Sequence, residues 1–329
     1  MLALTKPAWG QMLHAKIAFY SDIDAKKRAM LELTHEFCGL APPAKRFKFS
    51  DVAERDNAEA PACDLYVAGP PCPAFSTAGL RRGIKDPRGA VTFHCLDYVR
   101  VQRPRAVVIE NVKGMASPKH KQTLDGIVKS LRALQYEVYL RVRNAADYGI
   151  PQHRERLFVV GIRDKKRTFK WPKKFPLPQD ALHQVLKEDD NNSRCAAPRL
   201  VPEKLHTLAA KVPGGLRQLK RDWYVVDLAS SPAWSSVRKP GVCPTLTRAR
   251  CGHKAAYFVP LLGRFLQVQD MAALQGLNLT LANNMVKTVG RRPVAQAIGD
   301  AMQVDLLARL LARVLWSAGL VDAQPDFDS

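Results

Sequence analysis

The sequence predicts an α/β chain, a sheet with helices on both faces followed by a smaller, irregular region. Three observations predict it. Short runs rich in β-branched and aromatic residues alternate with helical-period segments through the first half. From 163 to 243 the periodicity weakens and Pro, Lys, Arg and polar residues accumulate. At the end, residues 293–320 read as one helix, with Val304, Leu307, Leu310, Leu311 and Val314 on a single apolar face.

In order, buried strands are expected at 17–20, 65–68, 106–109, 136–142 and 157–162, each short and apolar. Helices are expected at 25–37, 91–102 and 122–134, where apolar residues recur at helical spacing. Strand–helix alternation of this kind predicts a mostly parallel sheet. No internal repeat is visible.

A chain of 329 residues, 47% of them hydrophobic, is large enough for one big domain, or a big and a small one, around a real core. Intrinsic disorder is thereby excluded as the default state. The formal net charge is +21, from 51 basic against 30 acidic residues. Such an excess points to a polyanionic partner, most simply nucleic acid, against the plainer role of keeping the chain soluble.

Seven cysteines, at 38, 63, 72, 95, 195, 243 and 251, form no regular framework, which suits a reducing compartment. Cys243, Cys251 and His253 lack a standard zinc spacing, so no metal is expected. The N-terminus carries no secretory signal and no apolar run reaches membrane-spanning length, so no membrane partner is expected. The expected compartment is the nucleus in a eukaryotic cell and the cytoplasm otherwise. The basic cluster from Lys165 to Lys174 reads as an import signal or as a solvated or DNA-facing loop.

The chemistry concentrates in three segments. Gly69-Pro70-Pro71-Cys72-Pro73-Ala74-Phe75-Ser76 follows the strand at 65–68, and its three prolines stiffen the turn around a thiol. Glu110, followed by Asn111-Val112, ends the strand at 106–109. Ligands of open α/β sheets bind outside the carboxyl ends of the strands, so Cys72 and Glu110 are expected to face one crevice. Gln152-His153-Arg154-Glu155-Arg156 leads into the strand at 157–162, and its two arginines at alternate positions are expected on one face. A thiolate beside a carboxylic acid is what attack on carbon 6 of a pyrimidine requires, with protonation of ring nitrogen 3.

In this order and spacing the segments resemble the DNA cytosine-5 methyltransferase family, from about residue 17 to the C-terminal helix. The resemblance implies a Rossmann-like, S-adenosylmethionine-dependent methyltransferase sheet with a smaller, irregular target-recognition domain. It divides the chain into a catalytic region at 1–162, a recognition region at 163–284, and a return to the catalytic domain at 285–329. It implies methyl transfer from S-adenosylmethionine to carbon 5 of cytosine in double-stranded DNA, through a covalent Cys72 adduct and base flipping. Glu110 then protonates nitrogen 3, Arg156 contacts the exocyclic oxygen, and Arg154 orders the nucleophile. Asp22 and Ile23 contact the adenosine part of the cofactor and Asp51 its adenine amino group. Pro71 and Val91 wall the pocket, and Asp300 lies in the last segment, beside the cofactor. Residues 76–89, with Gly79, Gly83 and Gly89, resemble a loop that closes over DNA, bringing Arg81, Arg82, Lys85 and Arg88 to the phosphates. Cys243-Pro244-Thr245-Leu246-Thr247, Arg264 through Gln275-Gly276, and Gln296 through Ala301 match three further family segments.

The chain departs from the family in four places. A Phe-x-Gly-x-Gly-Gly turn should fall near residues 1–5, where the sequence reads Met1-Leu2-Ala3-Leu4-Thr5. This is expected if an upstream segment is missing or if ordinary cofactor binding has been lost. Asp270 stands where Glu is usual, Asp300 where Asn is usual, and Pro73 where Gln or Asn is commoner. Two other readings follow: a catalytically impaired DNA-binding relative that regulates a partner methyltransferase, and a tRNA cytosine-5 methyltransferase.

Overall fold

The computed structural model describes residues 1–6, 13, 15–71, 87–186, 201–228, 236–252 and 256–323, with side chains from 91 and from 203 onward in the helices that open at 87 and 201. In chain order the elements are β1 (Tyr20–Ser21), α1 (Ala25–Phe37), β2 (Lys48–Phe49), β3 (Leu65–Ala68), α2 (Pro87–Gln102), β4 (Ala106–Val112), α3 (Lys121–Ala133), β5 (Glu137–Asn144) and β6 (Glu155–Ile162). Then come α4 (Ala181–Val185), α5 (Val201–Ala209), α6 (Gly215–Arg221), β7 (Val226–Asp227), β8 (Ser236–Val237), α7 (Arg248–Gly252), β9 (Tyr257–Val259) and β10 (Arg264–Phe265). The last helices are α8 (Val268–Leu274), α9 (Leu279–Val289), α10 (Arg291–Asp300) and α11 (Val304–Ser317).

Two compact units result. The first holds Met1–Arg143, Glu155–Lys173 and Asp305–Ser329; the second holds Asn144–Arg154 and Lys174–Val304. The stretch expected as a recognition region therefore contributes 163–173 to the first unit, and the chain returns there at Asp305, not 285.

In the first unit β3, β4, β6 and β5 form one sheet in that order, and β1 and β2 form a separate parallel pair. β3 runs parallel to β4, but β4 runs antiparallel to β6. The central sheet is mixed where a mostly parallel one was expected. The reason is connection length: about ten residues separate Asn144 from Glu155, too few for the crossover a parallel return needs. α1 starts where Asp24 accepts the N–H groups of Lys26 and Lys27, an ordinary acidic N-cap. Tyr98 and Val99 of α2, Ile127 and Leu131 of α3, and Val107, Ile109, Leu157 and Val159 of the sheet share one core.

The helix expected at 293–320 is two helices. Ala301 takes an extended conformation and ends α10, and α11 begins at Val304. Val304, Leu310, Leu311 and Val314 are buried as the apolar face requires, whereas Leu307 is half-buried. Arg167 donates to the carbonyl of Trp316 at 3.0 Å, and Arg105 to that of Ala318 at 2.7 Å. Two cations thus satisfy carbonyls at the C-terminal end of α11, where the helix dipole favours them. Arg167 is in this way absorbed into structure.

The second unit carries an antiparallel sheet ordered β10-β9-β7-β8. Leu205, Leu208, Leu219, Tyr224, Val226 and Phe258 form its core, between that sheet and α5 and α6. Asp270, where the family usually has Glu, accepts from the Gln267 N–H at 2.7 Å and from Arg264 at 2.6 Å. The shorter acid both caps α8 and neutralises a buried arginine.

Candidate active site

β4 is buried along its length and ends in Glu110-Asn111-Val112. Its antiparallel register with β6 sets Glu110 opposite Phe158 and Val112 opposite Arg156. Glu110 and Arg156 are therefore diagonal neighbours on one face, within reach of long side chains. The Arg156 Nε lies 3.0 Å from Glu110 Oε1, with the two side chains 14% and 10% exposed. Arg156 also donates to the Glu155 carbonyl at 2.8 Å, which fixes the plane of its guanidinium. Lys113 pairs with Glu155 at 2.8 Å on the rim. A carboxyl group and a guanidinium, held side by side and largely shielded from water, can contact two adjacent polar atoms of a planar ring.

Cys72, Arg81, Arg82 and Lys85 lie outside the described residues. Arg88 falls in the first turn of α2, its side chain also outside them. Pro71 is exposed just beyond β3, and Val91 packs, partly buried, on the core of the first unit.

Asp22 directly follows β1 and accepts the Asp24 N–H at 2.9 Å. Asp51 follows β2 and accepts the Ala53 N–H at 2.8 Å. Each commits one carboxylate oxygen to a tight local turn, at the carboxyl end of one of two parallel strands. Between Asp22 and Asp24, Ile23 is 76% exposed.

Arg154 was expected on the same face as Arg156. It lies one residue before β6 begins, outside the pleat that would align the two. Its guanidinium, in a side chain 1% exposed, donates to the carbonyls of Leu246 at 2.8 Å, Gly299 at 3.3 Å and Ala301 at 2.6 Å. Gln152, also fully buried, donates to Gln275 Oε1 at 3.0 Å, and Gln275 donates to the carbonyls of Ile298 and Ala301. One buried polar hub in the second unit thus joins four of the segments picked out in the sequence: 152–154, 243–247, 274–276 and 296–301. Gly299 is required there, because a Cβ would sit 2.5 Å from backbone atoms of Thr247 and Arg248. Asp300, expected near the cofactor, pairs with Arg248 at 2.8 Å in the same unit. These partners escaped sequence reading because backbone carbonyl acceptors leave no signature in composition or spacing.

A model of the C-5 cytosine-specific DNA methylase family matches residues 10–316. The Type II methyltransferase M.HgiCII of Herpetosiphon aurantiacus is 30% identical over 206 residues, which cover 58% of this chain and 46% of that protein. M.HaeII of Haemophilus aegyptius is 33% identical over 201 residues, 60% of this chain and 59% of that one. The chain thus spans about half the length of these relatives. Among solved structures, the S. pombe Dnmt2 methyltransferase has a TM-score of 0.62 at 16% identity, covering 94% of this chain and 93% of its own. The Entamoeba histolytica methyltransferase EhMeth has a TM-score of 0.63 at 14% identity, with 95% of each chain covered. At those identities the likeness is one of fold, and it is the fold of Rossmann-like methyltransferases. With the family model matched along nearly the whole sequence, the chain belongs to the C-5 cytosine-specific DNA methylase family.

Proposed function

We propose that this chain methylates carbon 5 of cytosine in double-stranded DNA, with Cys72 as nucleophile and Glu110 and Arg156 as the groups that hold and polarise the base. The observation that carries the reading is the Glu110–Arg156 pair at the carboxyl end of β4, inside a family match running from 10 to 316. Cys72 adds through sulfur to carbon 6, and Glu110 gives a proton to nitrogen 3, so that ring electron density collects at carbon 5. Arg156 swings its donors from Glu110 to the exocyclic oxygen, which orients the ring. S-adenosylmethionine, when bound, supplies the electrophilic methyl carbon. Asp22 and Ile23 would hold its ribose and adenine, with Asp51 at the adenine amino group and Pro71 and Val91 as walls. Loss of the carbon 5 proton to solvent then breaks the sulfur–carbon bond and returns the thiolate, and nitrogen 3 gives its proton back to Glu110. The base must leave the duplex to reach Cys72, at a cost of a few kcal/mol. Arg81, Arg82, Lys85 and Arg88 would offset part of that cost through phosphate contacts.

The test is adduct trapping. Duplex DNA carrying 5-fluorocytosine should form a covalent complex with the unaltered chain and none with Cys72→Ser, because fluorine does not leave as a proton does. Equal trapping by both removes Cys72 from the mechanism. Running the assay on transfer RNA as well separates the nucleic-acid classes: trapping on transfer RNA alone overturns the DNA assignment.

A further inference from the structure

Arg55 lies four residues beyond Asp51 and is only 6% exposed. Its Nε donates to Asn57 Oδ1 at 2.8 Å, and Asn57 Nδ2 donates to Asp97 Oδ2 at 2.8 Å. The buried charge is thus balanced at one remove, through an amide, by an acid on α2. Its guanidinium carbon lies 5.2 Å from the ring centre of Phe19, 5.8 Å from that of Phe49 and 5.0 Å from that of Tyr98. All three are within cation–π range. The rings come from different elements: Phe19 just before β1, Phe49 in β2 and Tyr98 in α2. Phe19 also sits 4.9 Å from Tyr98 and stacks at 6.2 Å on Tyr66 of β3.

The β1–β2 pair and the sheet containing β3 are separate, and no ladder joins them among the described residues. Side-chain packing is therefore their link here, and Arg55 is at its centre. That link matters because of what hangs on either side. β1 and β2 carry Asp22, Ile23 and Asp51 at their ends; Pro71 follows β3 and Val91 is on α2.

We propose that Arg55 is a positioning residue for the nucleoside end of the cofactor: its guanidinium clamps the β1–β2 pair to α2, and so sets Asp22, Ile23 and Asp51 against Pro71 and Val91. This rests on the cofactor assignment above. The competing role is plain core filling, which an unbranched apolar side chain of similar length performs equally well. A cation among rings differs from a filler because its attraction is directed at each ring face; lysine keeps the charge but loses the planar stacking and the Nε donor to Asn57.

The experiment compares Arg55→Met and Arg55→Lys with the unaltered chain, using S-adenosylhomocysteine as an unreactive probe. In Arg55→Met, amide exchange in ligand-free protein should quicken at least about tenfold at Tyr20–Ser21 and Lys48–Phe49, while β4 stays native-like. Probe affinity measured by calorimetry should weaken by about tenfold or more, and in turnover assays KM for the methyl donor should rise with kcat held within about threefold. Arg55→Lys, which keeps the charge alone, should recover part of both. Phe49→Leu, which removes one ring and leaves the cation, covers the case in which Arg55→Met does not fold, and should weaken the probe by about threefold. Native exchange and native affinity in Arg55→Met, or in Phe49→Leu if only that folds, overturn the clamp. Failure of Arg55→Lys to recover more than Arg55→Met overturns the role of the cation. If the unaltered chain does not bind the probe at millimolar concentration, the cofactor assignment itself falls, and the proposed positioning role with it.

Discussion

Two arginines, two residues apart in sequence, one fully buried and one partly shielded, are used in opposite ways. Arg156 faces a carboxylate, in a pair whose side chains keep 14% and 10% of their surface. Arg154 faces neutral backbone carbonyls contributed by residues up to 147 positions away. The first arrangement is local, set by the register of two strands, and its partner is a group that can exchange one contact for another. The second is long-range, and binds three carbonyls, of which that of Ala301 also accepts from Gln275. A polar group placed for chemistry keeps a partner it can leave. A polar group placed for architecture gathers buried acceptors from distant parts of the chain.

The two arginines and their partners should therefore respond differently to substitution. The largest effects are expected at the centres of the two regions. Glu110→Gln should lower turnover by about 10²–10⁴-fold, the usual worth of a general acid. It should cost only about 1 kcal/mol of stability, because the amide keeps the shape and one acceptor. Arg154→Met should do the reverse, destabilising the fold by about 3–5 kcal/mol through stranded carbonyls, as seen in denaturant unfolding. Any loss of activity there should track the unfolded fraction. A folded, stable but inactive Arg154→Met would return Arg154 to the chemistry.

A buried acid sharpens the contrast. Burial lifts the Asp227 carboxyl to about 6 from the ordinary 3.8, with Arg250 pulling it down by its charge and hydrogen bond. The folded chain holds that proton more tightly than the unfolded chain. Asp227 therefore contributes stability that is fully present below about pH 4 and is lost as pH rises through 6, on the order of 3 kcal/mol in all. Asp227→Asn should accordingly be more stable than the unaltered chain at pH 7.5, with the advantage shrinking by pH 5. Equal pH slopes for the two proteins would show that Arg250 fully compensates the burial.

Smaller effects are expected further out. Gln275→Leu, which removes the donor to the carbonyls of Ile298 and Ala301, should cost about 1–3 kcal/mol. Asp300→Asn should cost no more than about 1 kcal/mol, because its pair with Arg248 is partly in water. A larger loss of methyl-donor affinity than of stability in Asp300→Asn would assign that residue to the cofactor after all.

Helices α1, α2 and α3 and the strands at 65–68 and 106–109 were legible because local apolar periodicity and tertiary burial agree there. The Glu110–Arg156 pairing was half-legible: both residues stood out, but the contact depends on an antiparallel register that alternation alone does not specify. The direction of β6 depends on the length of 145–154, which reads as an ordinary loop until both its ends are placed. The break at Ala301 was hidden because apolar spacing continues across it. Arg55 was passed over for a related reason. A lone arginine in a polar-looking loop carries no mark of the rings that Phe19, Phe49 and Tyr98 bring to it from elsewhere.

The hub around Arg154 also has a consequence in time. A ribosome adds about 5–20 residues per second, so Gly299 and Ala301 emerge about 7–30 seconds after the arginine they are to receive. During that interval a guanidinium destined for the interior has only part of its acceptor set, and α10 has not yet been made. The second unit cannot close stepwise behind the ribosome; it closes late, when its last helix arrives. Nascent chains of this protein should therefore remain sensitive to protease and dependent on chaperones until translation has passed residue 301, and any fragment ending before it should be a poor folder however much of the catalytic region it contains.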